Sequence, residues 1–265
     1  MKIALGQMHI RWEDKAANLD RVENWMELLK EKNVDLFTLP EMSLTGFSMH
    51  TELTKETDKI TVAEAEKFAR NYQMAVGIGW VKDEGKFCEN RYSIVTPEGE
   101  ILEYTKLHPF SYSGEDRYFQ GGTVLPVCEY RGYHLGVQIC YDLRFPETFQ
   151  ALSRQADLIL VPANWPGRRR EHWISLLQAR AIENQCYIAG VNCVGDMDGQ
   201  TYTGDSRLYG PDGMLCSGEI LTPADAQPGE CAFIYEIDDQ VKKVRTQFPV
   251  KKDRRDALYR QFYEV

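Results

Sequence analysis

The feature that most constrains this fold is a repeated order of strands and helices. Apolar, β-prone runs alternate with amphipathic segments over residues 2–81, and the same alternation returns over residues 133–191. The segments 18–30 and 62–72 carry apolar side chains at helical spacing, which is typical of helices that cover a sheet. Hairpin patterns follow each series. The sequence therefore predicts an α/β protein with a single domain, built as a four-layer α-β-β-α sandwich.

The same patterns predict the individual elements. Strands are predicted at residues 2–7, 35–40, 74–81, 91–95, 101–104, 124–130, 133–139, 158–162, 186–191, 203–209, 214–219 and 230–237, and helices at 18–30, 62–72, 146–154 and 171–184. Residues 106–122 form a long loop that is too rich in aromatic side chains for a disordered segment and is therefore expected to be functional. From about residue 238 to residue 265, a charged and partly helical tail is expected to extend the domain.

Composition excludes several classes of protein. The net charge of −9 argues against a nucleic-acid partner, since nucleic-acid binders are usually basic. The local basic run 168–170 can steer anionic substrates, but a solvated helix start is the preferred interpretation. No apolar stretch reaches the length of a membrane span, and the first apolar run is too short for a signal peptide, so a cytoplasmic protein without a membrane partner is expected. The seven cysteines and five histidines lack metal-site and disulfide spacings, so no metal and no other cofactor is predicted.

Three reactive side chains each follow a predicted strand. Glu41 follows the strand 35–40, Lys106 follows 101–104, and Cys140 stands between a strand and the Pro146 that opens a helix. Ligands of open sheets gather at such strand ends. A lone cysteine is more often an inert core residue, and a lone charge at a strand end is usually solvated. Together, however, a base, a cation and a thiol supply what acyl transfer requires.

The blocks around these residues resemble a known family. Residues 39–42 read Leu-Pro-Glu-Met, residues 104–108 read Tyr-Thr-Lys-Leu-His, and residues 138–147 read Gln-Ile-Cys-Tyr-Asp-Leu-Arg-Phe-Pro-Glu. In order and approximate spacing, they resemble the three active-site motifs of the nitrilase superfamily of carbon–nitrogen hydrolases. The blocks Asn-Trp-Pro at 164–166 and Ala-Arg-Ala-Ile-Glu-Asn-Gln at 179–185 are most similar to the omega-amidase branch. The resemblance covers nearly the whole chain, which implies one carbon–nitrogen hydrolase domain over residues 1–265.

The resemblance implies a role for each of these residues. Cys140 matches the family's nucleophile, Glu41 its general base and Lys106 the residue of its oxyanion site. The backbone N–H of Tyr141 would be the second oxyanion donor. A hydrolase of this kind forms an acyl-thioester on the cysteine and needs only a small-molecule amide and water as partners. The family also implies a homodimer or a higher homo-oligomer.

A further carboxylate and two departures from the family pattern complete the match. The family uses a second glutamate between its lysine and its cysteine, and Glu115 is matched to that position, with Asp116 as the neighbouring alternative. Pro109 stands where a leucine is more usual. Cys193 stands where relatives of this branch commonly carry an arginine. Neither departure touches the catalytic atoms, but both bear on the substrate.

Several functions remain open at this point. The leading one is hydrolysis of a small carboxylate-bearing amide, such as 2-oxoglutaramate or 2-oxosuccinamate, to a 2-oxo acid and ammonia. Within the same fold, an aliphatic amidase, an N-carbamoyl amino acid hydrolase or a nitrilase are alternatives. A papain-like enzyme using His108 or His134 is disfavoured because no supporting asparagine motif accompanies the cysteine. A non-catalytic binding protein on the same scaffold is the alternative from another class.

The sequence also offers candidates for substrate binding. Arg144, four residues after the nucleophile, can hold a carboxylate in a bidentate pair. A salt bridge between Arg144 and Glu147 or Asp142 is an equally acceptable interpretation. Trp165 and Phe47 are candidates for the pocket wall, although core packing is the commoner fate of aromatic side chains.

Overall fold

The computed structural model describes residues 1–264. Its strands, numbered along the chain, are β1 (Lys2–Gln7), β2 (Leu36–Thr38), β3 (Ala75–Asp83), β4 (Cys88–Thr96), β5 (Gly99–Thr105), β6 (Val127–Tyr130), β7 (Tyr133–Val137), β8 (Leu158–Ala163), β9 (Tyr187–Asn192), β10 (Val194–Met197), β11 (Gln200–Thr203), β12 (Arg207–Tyr209), β13 (Glu219–Leu221) and β14 (Cys231–Glu236). The α-helices are α1 (Lys15–Lys30), α2 (Thr51–Thr54), α3 (Ile60–Tyr72), α4 (Pro146–Leu152), α5 (Arg170–Asn184), α6 (Gln240–Gln247) and α7 (Asp256–Tyr263).

The strands form two large sheets and one separate hairpin. The first sheet has seven strands in the order β13-β14-β1-β2-β3-β4-β5, and the second has five in the order β12-β9-β8-β7-β6. The centre of each sheet is parallel, with β1-β2-β3 in the first and β7-β8-β9 in the second. Strands β10 and β11 pair only with each other. In a parallel arrangement the carboxyl ends of neighbouring strands share one edge, which is where ligands bind in open α/β sheets.

Alternation of side chains along the strands creates three apolar layers. In β2, Leu36 faces the space between the sheets, while Phe37 faces α1, where its ring stacks on Trp25 at a centroid distance of 6.1 Å. In β8, Leu160 joins the layer between the sheets and Ile159 packs beneath α4 and α5. Helices therefore cover both outer faces, and the predicted four-layer α-β-β-α sandwich is confirmed.

Some predicted elements differ from the structure. The strand predicted at 214–219 is wrong, because Met214 and Leu215 are 66% and 56% exposed and the strand β13 begins only at Glu219. The apolar residues of this segment are therefore not buried, although a strand pattern led us to expect that they would be. The strands predicted at 124–130 and 203–209 start later, as β6 and β12. The hairpin β10–β11 and the short helix α2 are not predicted from the sequence. No helix within residues 1–264 combines the length and the apolar character that crossing a membrane requires.

Candidate active site

Three strand ends converge at the rim between the two sheets. Glu41 follows β2 and Lys106 follows β5, both in the first sheet, whereas Cys140 follows β7 in the second. The ammonium nitrogen of Lys106 donates to Glu41 Oε1 at 2.9 Å, and both side chains are buried. The facing sheets thus bring together residues that lie 65 and 34 positions apart in sequence.

A second carboxylate completes a buried cluster around the lysine. Glu115 lies in a 3₁₀ turn of the long loop, and its two oxygens accept from Lys106 Nζ at 3.1 and 2.9 Å. Asp116, the neighbouring alternative, is exposed. Burial alone would lower the pKa of Lys106, but the charges of Glu115 and Glu41 outweigh it and hold that pKa above its usual range. The side chain therefore remains an ammonium group.

Asn90, which sequence reasoning missed, joins the two carboxylates. Its Nδ2 donates to Glu41 Oε1 at 2.8 Å and to Glu115 Oε1 at 3.1 Å. Asn90 stands in β4 in the same phase as the buried Tyr92 and Ile94. An amide in the apolar phase of a strand requires a polar partner. That requirement is the signal in the sequence that could have identified it.

Cys140 occupies a strained position at the start of a 3₁₀ turn, Cys140–Arg144. Its φ of +44° lies in the left-handed region that non-glycine residues rarely adopt. Burial, reinforced by the negative charge of Glu41, raises the pKa of the thiol well above its usual value. A raised pKa favours the protonated thiol, so generating a thiolate here would require a base. The backbone N–H of Tyr141 has no hydrogen-bond acceptor within residues 1–264.

Asn164, just after β8, contacts both reactive residues. Its backbone N–H donates to Glu41 Oε2 at 3.0 Å, and its Nδ2 donates to the main-chain oxygen of Glu41 at 2.6 Å. Its own carbonyl oxygen lies 4.0 Å from Cys140 Sγ. Sequence reasoning included Asn164 only within a matching block and gave it no role. Its contacts cross from one sheet to the other, so no local pattern could have revealed them.

A cavity of about 200 Å³ opens over Cys140. Its walls combine aromatic, cationic and a few other polar side chains: Phe47, Met49, Lys106, Phe110, Ser113, Cys140, Tyr141, Arg144, Asn164, Trp165, Pro166, Arg168, Arg169, Asp198, Gln200 and Tyr202. The last three come from or next to the hairpin β10–β11, which closes one side. This volume suits a small substrate of a few heavy atoms.

The two aromatic residues proposed from the sequence both reach this cavity. The Phe47 ring lies 5.2 Å from Lys106 Nζ. Trp165 is buried and packs on Trp173 at a centroid distance of 5.5 Å, while its other side lines the cavity. Trp165 therefore fulfils both interpretations, because it packs in the core and also lines the pocket.

Three arginine side chains of the cavity have no carboxylate partner within residues 1–264. Arg144 forms neither of the alternative salt bridges, because Asp142 is bound elsewhere and Glu147 does not reach it. Its guanidinium instead lies 4.8 Å from the Trp165 ring centroid and 3.3 Å from His172 Nδ1.

The basic run after the Asn-Trp-Pro block is divided between two environments. Arg170 begins α5 and pairs with Asp205, as a solvated helix start would. Arg168 is exposed in the 3₁₀ turn that leads into α5, so a solvated helix start describes it as well, although its side chain also reaches the cavity. Arg169 is half-buried in the cavity wall, so that interpretation is wrong for Arg169. Burial, together with the positive charges of Arg168 and Arg144, lowers the pKa of Arg169. Because these cations repel one another, a bound anion would stabilise the group.

No cluster of three or more histidine, cysteine, aspartate or glutamate side chains that could hold a metal ion is found within residues 1–264. The Cys140 thiol and the Lys106 ammonium line the cavity, and the carboxylates of Glu41 and Glu115 are buried behind it.

Comparison with known proteins identifies the family. The family model described as carbon–nitrogen hydrolase matches residues 2–243. This chain therefore belongs to the carbon–nitrogen hydrolases of the nitrilase superfamily, as its motifs predicted.

Curated relatives and solved structures agree with this assignment. The chain is 35% identical over 256 residues to an omega-amidase, YafV, of Yersinia enterocolitica, covering 96% of both chains. It is 30% identical to a 2-oxoglutaramate amidase of Bacillus subtilis, covering 96% of this chain and 97% of that one. The crystal structure of XC1258 from Xanthomonas campestris, a CN-hydrolase superfamily protein, matches with a TM-score of 0.86 at 30% identity over 96% of this chain and 97% of that one. The protein is thus an enzyme that hydrolyses carbon–nitrogen bonds other than peptide bonds.

Proposed function

We propose that this enzyme hydrolyses the terminal amide of a short 2-oxo acid, with 2-oxoglutaramate and 2-oxosuccinamate as the leading substrates. The observation that carries the proposal is the set of arginine side chains without carboxylate partners, Arg144, Arg168 and Arg169, in the same cavity as Cys140. A substrate carboxylate would supply the missing anion through charge-assisted hydrogen bonds. Relatives named omega-amidase and 2-oxoglutaramate amidase, at 35% and 30% identity, support this substrate class.

In the first half of the reaction, Glu41 accepts the proton of the Cys140 thiol as sulfur attacks the amide carbon. The carbonyl oxygen becomes an oxyanion, which the Lys106 ammonium and the Tyr141 N–H stabilise by hydrogen bonds. Glu41 then returns the proton to the amide nitrogen. The carbon–nitrogen bond breaks, ammonia leaves, and an acyl-thioester remains on Cys140.

In the second half, water takes the place of ammonia. Glu41 accepts a proton from this water, whose oxygen attacks the thioester carbon, and the same oxyanion donors stabilise the second tetrahedral intermediate. When that intermediate collapses, the carbon–sulfur bond breaks and the proton on Glu41 returns to sulfur. The products are a carboxylic acid and the free thiol, which restores the starting state.

The remaining polar side chains position the reactive groups. Glu115 and Asn90 fix Lys106 and Glu41 at hydrogen-bond distance, so the oxyanion donor is oriented before the substrate arrives. Burial, together with the nearby charge of Glu41, raises the pKa of Glu115, although Lys106 opposes this shift. We assign Glu115 to positioning, because Lys106 and Asn90 already occupy its oxygens.

Arg144 is the proposed partner of the substrate carboxylate, with Phe47 and Trp165 on either side of the carbon chain. Its guanidinium lies over the Trp165 ring and its Nη2 contacts His172, while Nε and Nη1 have no partner within residues 1–264 and can donate to a carboxylate. The side-chain amide would then reach Cys140 at the base of the cavity.

An ammonia-release panel tests this proposal. The panel compares 2-oxoglutaramate, 2-oxosuccinamate, glutamine, N-carbamoyl amino acids, aliphatic nitriles and neutral aliphatic amides of matched length. We expect kcat/KM to be highest for the two 2-oxo acids, and carbon dioxide release would mark a carbamoyl substrate instead. A neutral amide or a nitrile as the best substrate would overturn the proposal.

We also propose a cytoplasmic homodimer or higher homo-oligomer. All seven cysteines are free, which suits a reducing compartment. On the outer side of α5, Ile182 is 54% exposed and packs against Gly213, beside the exposed Met214 and Leu215, so an apolar patch is available for a second copy. Light scattering of the wild type and of Ile182→Arg tests this, since a monomeric wild type would exclude the oligomer.

A further inference from the structure

A second cysteine lies behind the catalytic residues. Cys193 follows β9 and is fully buried, and its Sγ lies 3.1 Å from Asn164 Oδ1. This is a short distance for a thiol donor. Burial, with a smaller contribution from the charge of Glu41, raises the pKa of Cys193 well above its usual value, so the thiol keeps its proton. The side chain is therefore a permanent, uncharged donor.

This contact pairs the oxygen of the Asn164 side-chain amide. Its Nδ2 donates to the main-chain oxygen of Glu41 at 2.6 Å, and that oxygen can only accept. The amide oxygen must then point to the opposite side, where the Cys193 thiol is its hydrogen-bond donor among residues 1–264. Without that donor, a buried amide oxygen would be left unpaired and the amide would lose its preferred orientation.

The orientation of Asn164 matters because both reactive residues rest on it. Its backbone N–H holds Glu41 Oε2 at 3.0 Å, whereas Lys106 and Asn90 hold the other oxygen. Its carbonyl oxygen lies beside Cys140 Sγ at 4.0 Å. These two contacts are made by the backbone of Asn164, while its side chain holds the main chain of Glu41 through Nδ2. A rotation of the side chain would release the main chain of Glu41 and so change the position of the base relative to the thiol.

We propose that Cys193 is a positioning residue for the reaction, because its thiol fixes Asn164, and Asn164 fixes Glu41 beside Cys140. The inference rests on the proposed role of Glu41 as general base. A thiol supplies a hydrogen-bond donor there without placing a positive charge behind the base.

Two substitutions separate the donor from its packing. In Cys193→Ala the donor is lost, and we expect kcat to fall about tenfold, which is the change in rate that the loss of roughly one buried hydrogen bond produces. KM should change less than about twofold. In Cys193→Ser the donor is kept, and most of kcat should return.

Cys186→Ala is the matched control. Cys186 is equally buried, but it lies in the layer beneath α4 and α5 and touches none of the catalytic residues. Removing its thiol should lower the melting temperature as much as Cys193→Ala does, yet leave kcat and KM unchanged. The comparison distinguishes loss of packing from loss of positioning.

A double-mutant cycle completes the test. If Cys193 acts through Asn164, Cys193→Ala should cost less than about twofold in an Asn164→Ala background. The rate at which iodoacetamide alkylates Cys140, followed by intact-mass spectrometry, compares the same variants without any amide substrate. This test therefore remains valid even if the proposed substrate is wrong. Wild-type kcat in Cys193→Ala, no recovery in Cys193→Ser, or additive losses in the cycle would each overturn the inference. Full activity in Glu41→Gln would instead refute the proposed base.

Discussion

His108 Nδ1 lies 2.7 Å from Asp142 Oδ1, and the backbone N–H of His108 donates to the same oxygen at 3.0 Å. The other carboxylate oxygen of Asp142 accepts from the Tyr104 hydroxyl at 2.7 Å and from the backbone N–H of Ile139 at 3.0 Å. This buried carboxylate therefore joins the end of β5 to the turn that begins at Cys140. One side chain thus connects the segment of Lys106 in the first sheet to the segment of Cys140 in the second.

Asp142→Asn should destabilise the protein, because the new amide group faces buried donors and leaves some of them unpaired. We expect the free energy of unfolding to fall by about 2–3 kcal/mol. A second histidine–aspartate pair provides the control: the backbone N–H and Nδ1 of His134 meet Asp157 Oδ2 at 3.0 and 3.2 Å, but partly in solvent. Asp157→Asn should cost less than about 1 kcal/mol. Urea denaturation measures both changes in the free energy of unfolding, provided that the dependence on urea concentration has the same slope in each variant. Equal losses of stability in the two variants would contradict the role assigned to burial.

Glu115→Gln should impair catalysis more than folding. Its oxygens hold Lys106, so the neutral amide weakens the orientation of the oxyanion donor, and we expect kcat to fall about tenfold to a hundredfold with little change in KM. The adjacent Asp116 is exposed, and Asp116→Asn should keep kcat within about twofold of the wild type because it removes only a solvated charge. Steady-state kinetics on the best amide of the panel, with circular dichroism to verify folding, decides between them. Similar kcat values for the two variants would show that Glu115 does not contribute to catalysis.

Much of the fold follows from local patterns. The periodicity of 18–30 and 62–72 identifies the helices that cover the first sheet, and the positions of Glu41, Lys106 and Cys140 after apolar runs place them at strand ends. The family motifs then indicate that the three meet. The failed strand at 214–219 shows the limit of the same reasoning, since exposed apolar side chains carry the same pattern as buried ones.

The supporting contacts of the site could not be derived from the sequence. Asn90 and Asn164 are uncharged amides whose partner, Glu41, lies 49 and 123 positions away. Their contacts depend on strand register and on the facing of two sheets, neither of which a local pattern encodes. Arg169 stands at a helix start, directly before α5, as its place in the chain suggests. It also lines a cavity to which the hairpin β10–β11, which the sequence did not predict, contributes Gln200 and Tyr202.

Cys140 should titrate as a protonated thiol throughout the neutral range. Burial and the charge of Glu41 raise its pKa, with Glu115 adding to this effect and Lys106 opposing it. The difference in absorbance at 240 nm between the wild type and Cys140→Ala should show no thiolate step below a pH of about 9, above the usual thiol value of about 8.5. In Glu115→Gln the step should move to lower pH, because one negative charge near sulfur is lost. A step at or below neutral pH in the wild type would indicate a preformed thiolate and would make a general base unnecessary for attack.

Arg144→Ala should impair binding of a carboxylate-bearing amide selectively. A charge-assisted hydrogen bond contributes about 1.5–3 kcal/mol, so kcat/KM for 2-oxoglutaramate should fall about tenfold to a hundredfold. The value for a neutral amide of matched length should change less than about threefold, since that substrate offers no partner for the guanidinium. Arg144→Lys keeps the charge but not the planar fork, and it should recover only part of the loss. Equal losses on both amides would instead show that Arg144 acts by packing on Trp165.

Arg168 and Arg170 differ in their surroundings although only one residue separates them. Arg168 is exposed at the cavity, without a carboxylate partner within residues 1–264, while Arg170 is neutralised by Asp205. In the wild type, KM for an anionic amide should rise as salt is raised from about 0.01 to 0.15 M, where the Debye length falls from about 30 to 8 Å. Arg168→Ala should flatten this dependence by removing an unpaired charge that attracts the substrate, whereas Arg170→Ala should retain it. If both variants kept the wild-type salt dependence, attraction at the cavity mouth would have to come from Arg144 and Arg169, which lie deeper and are less exposed to screening.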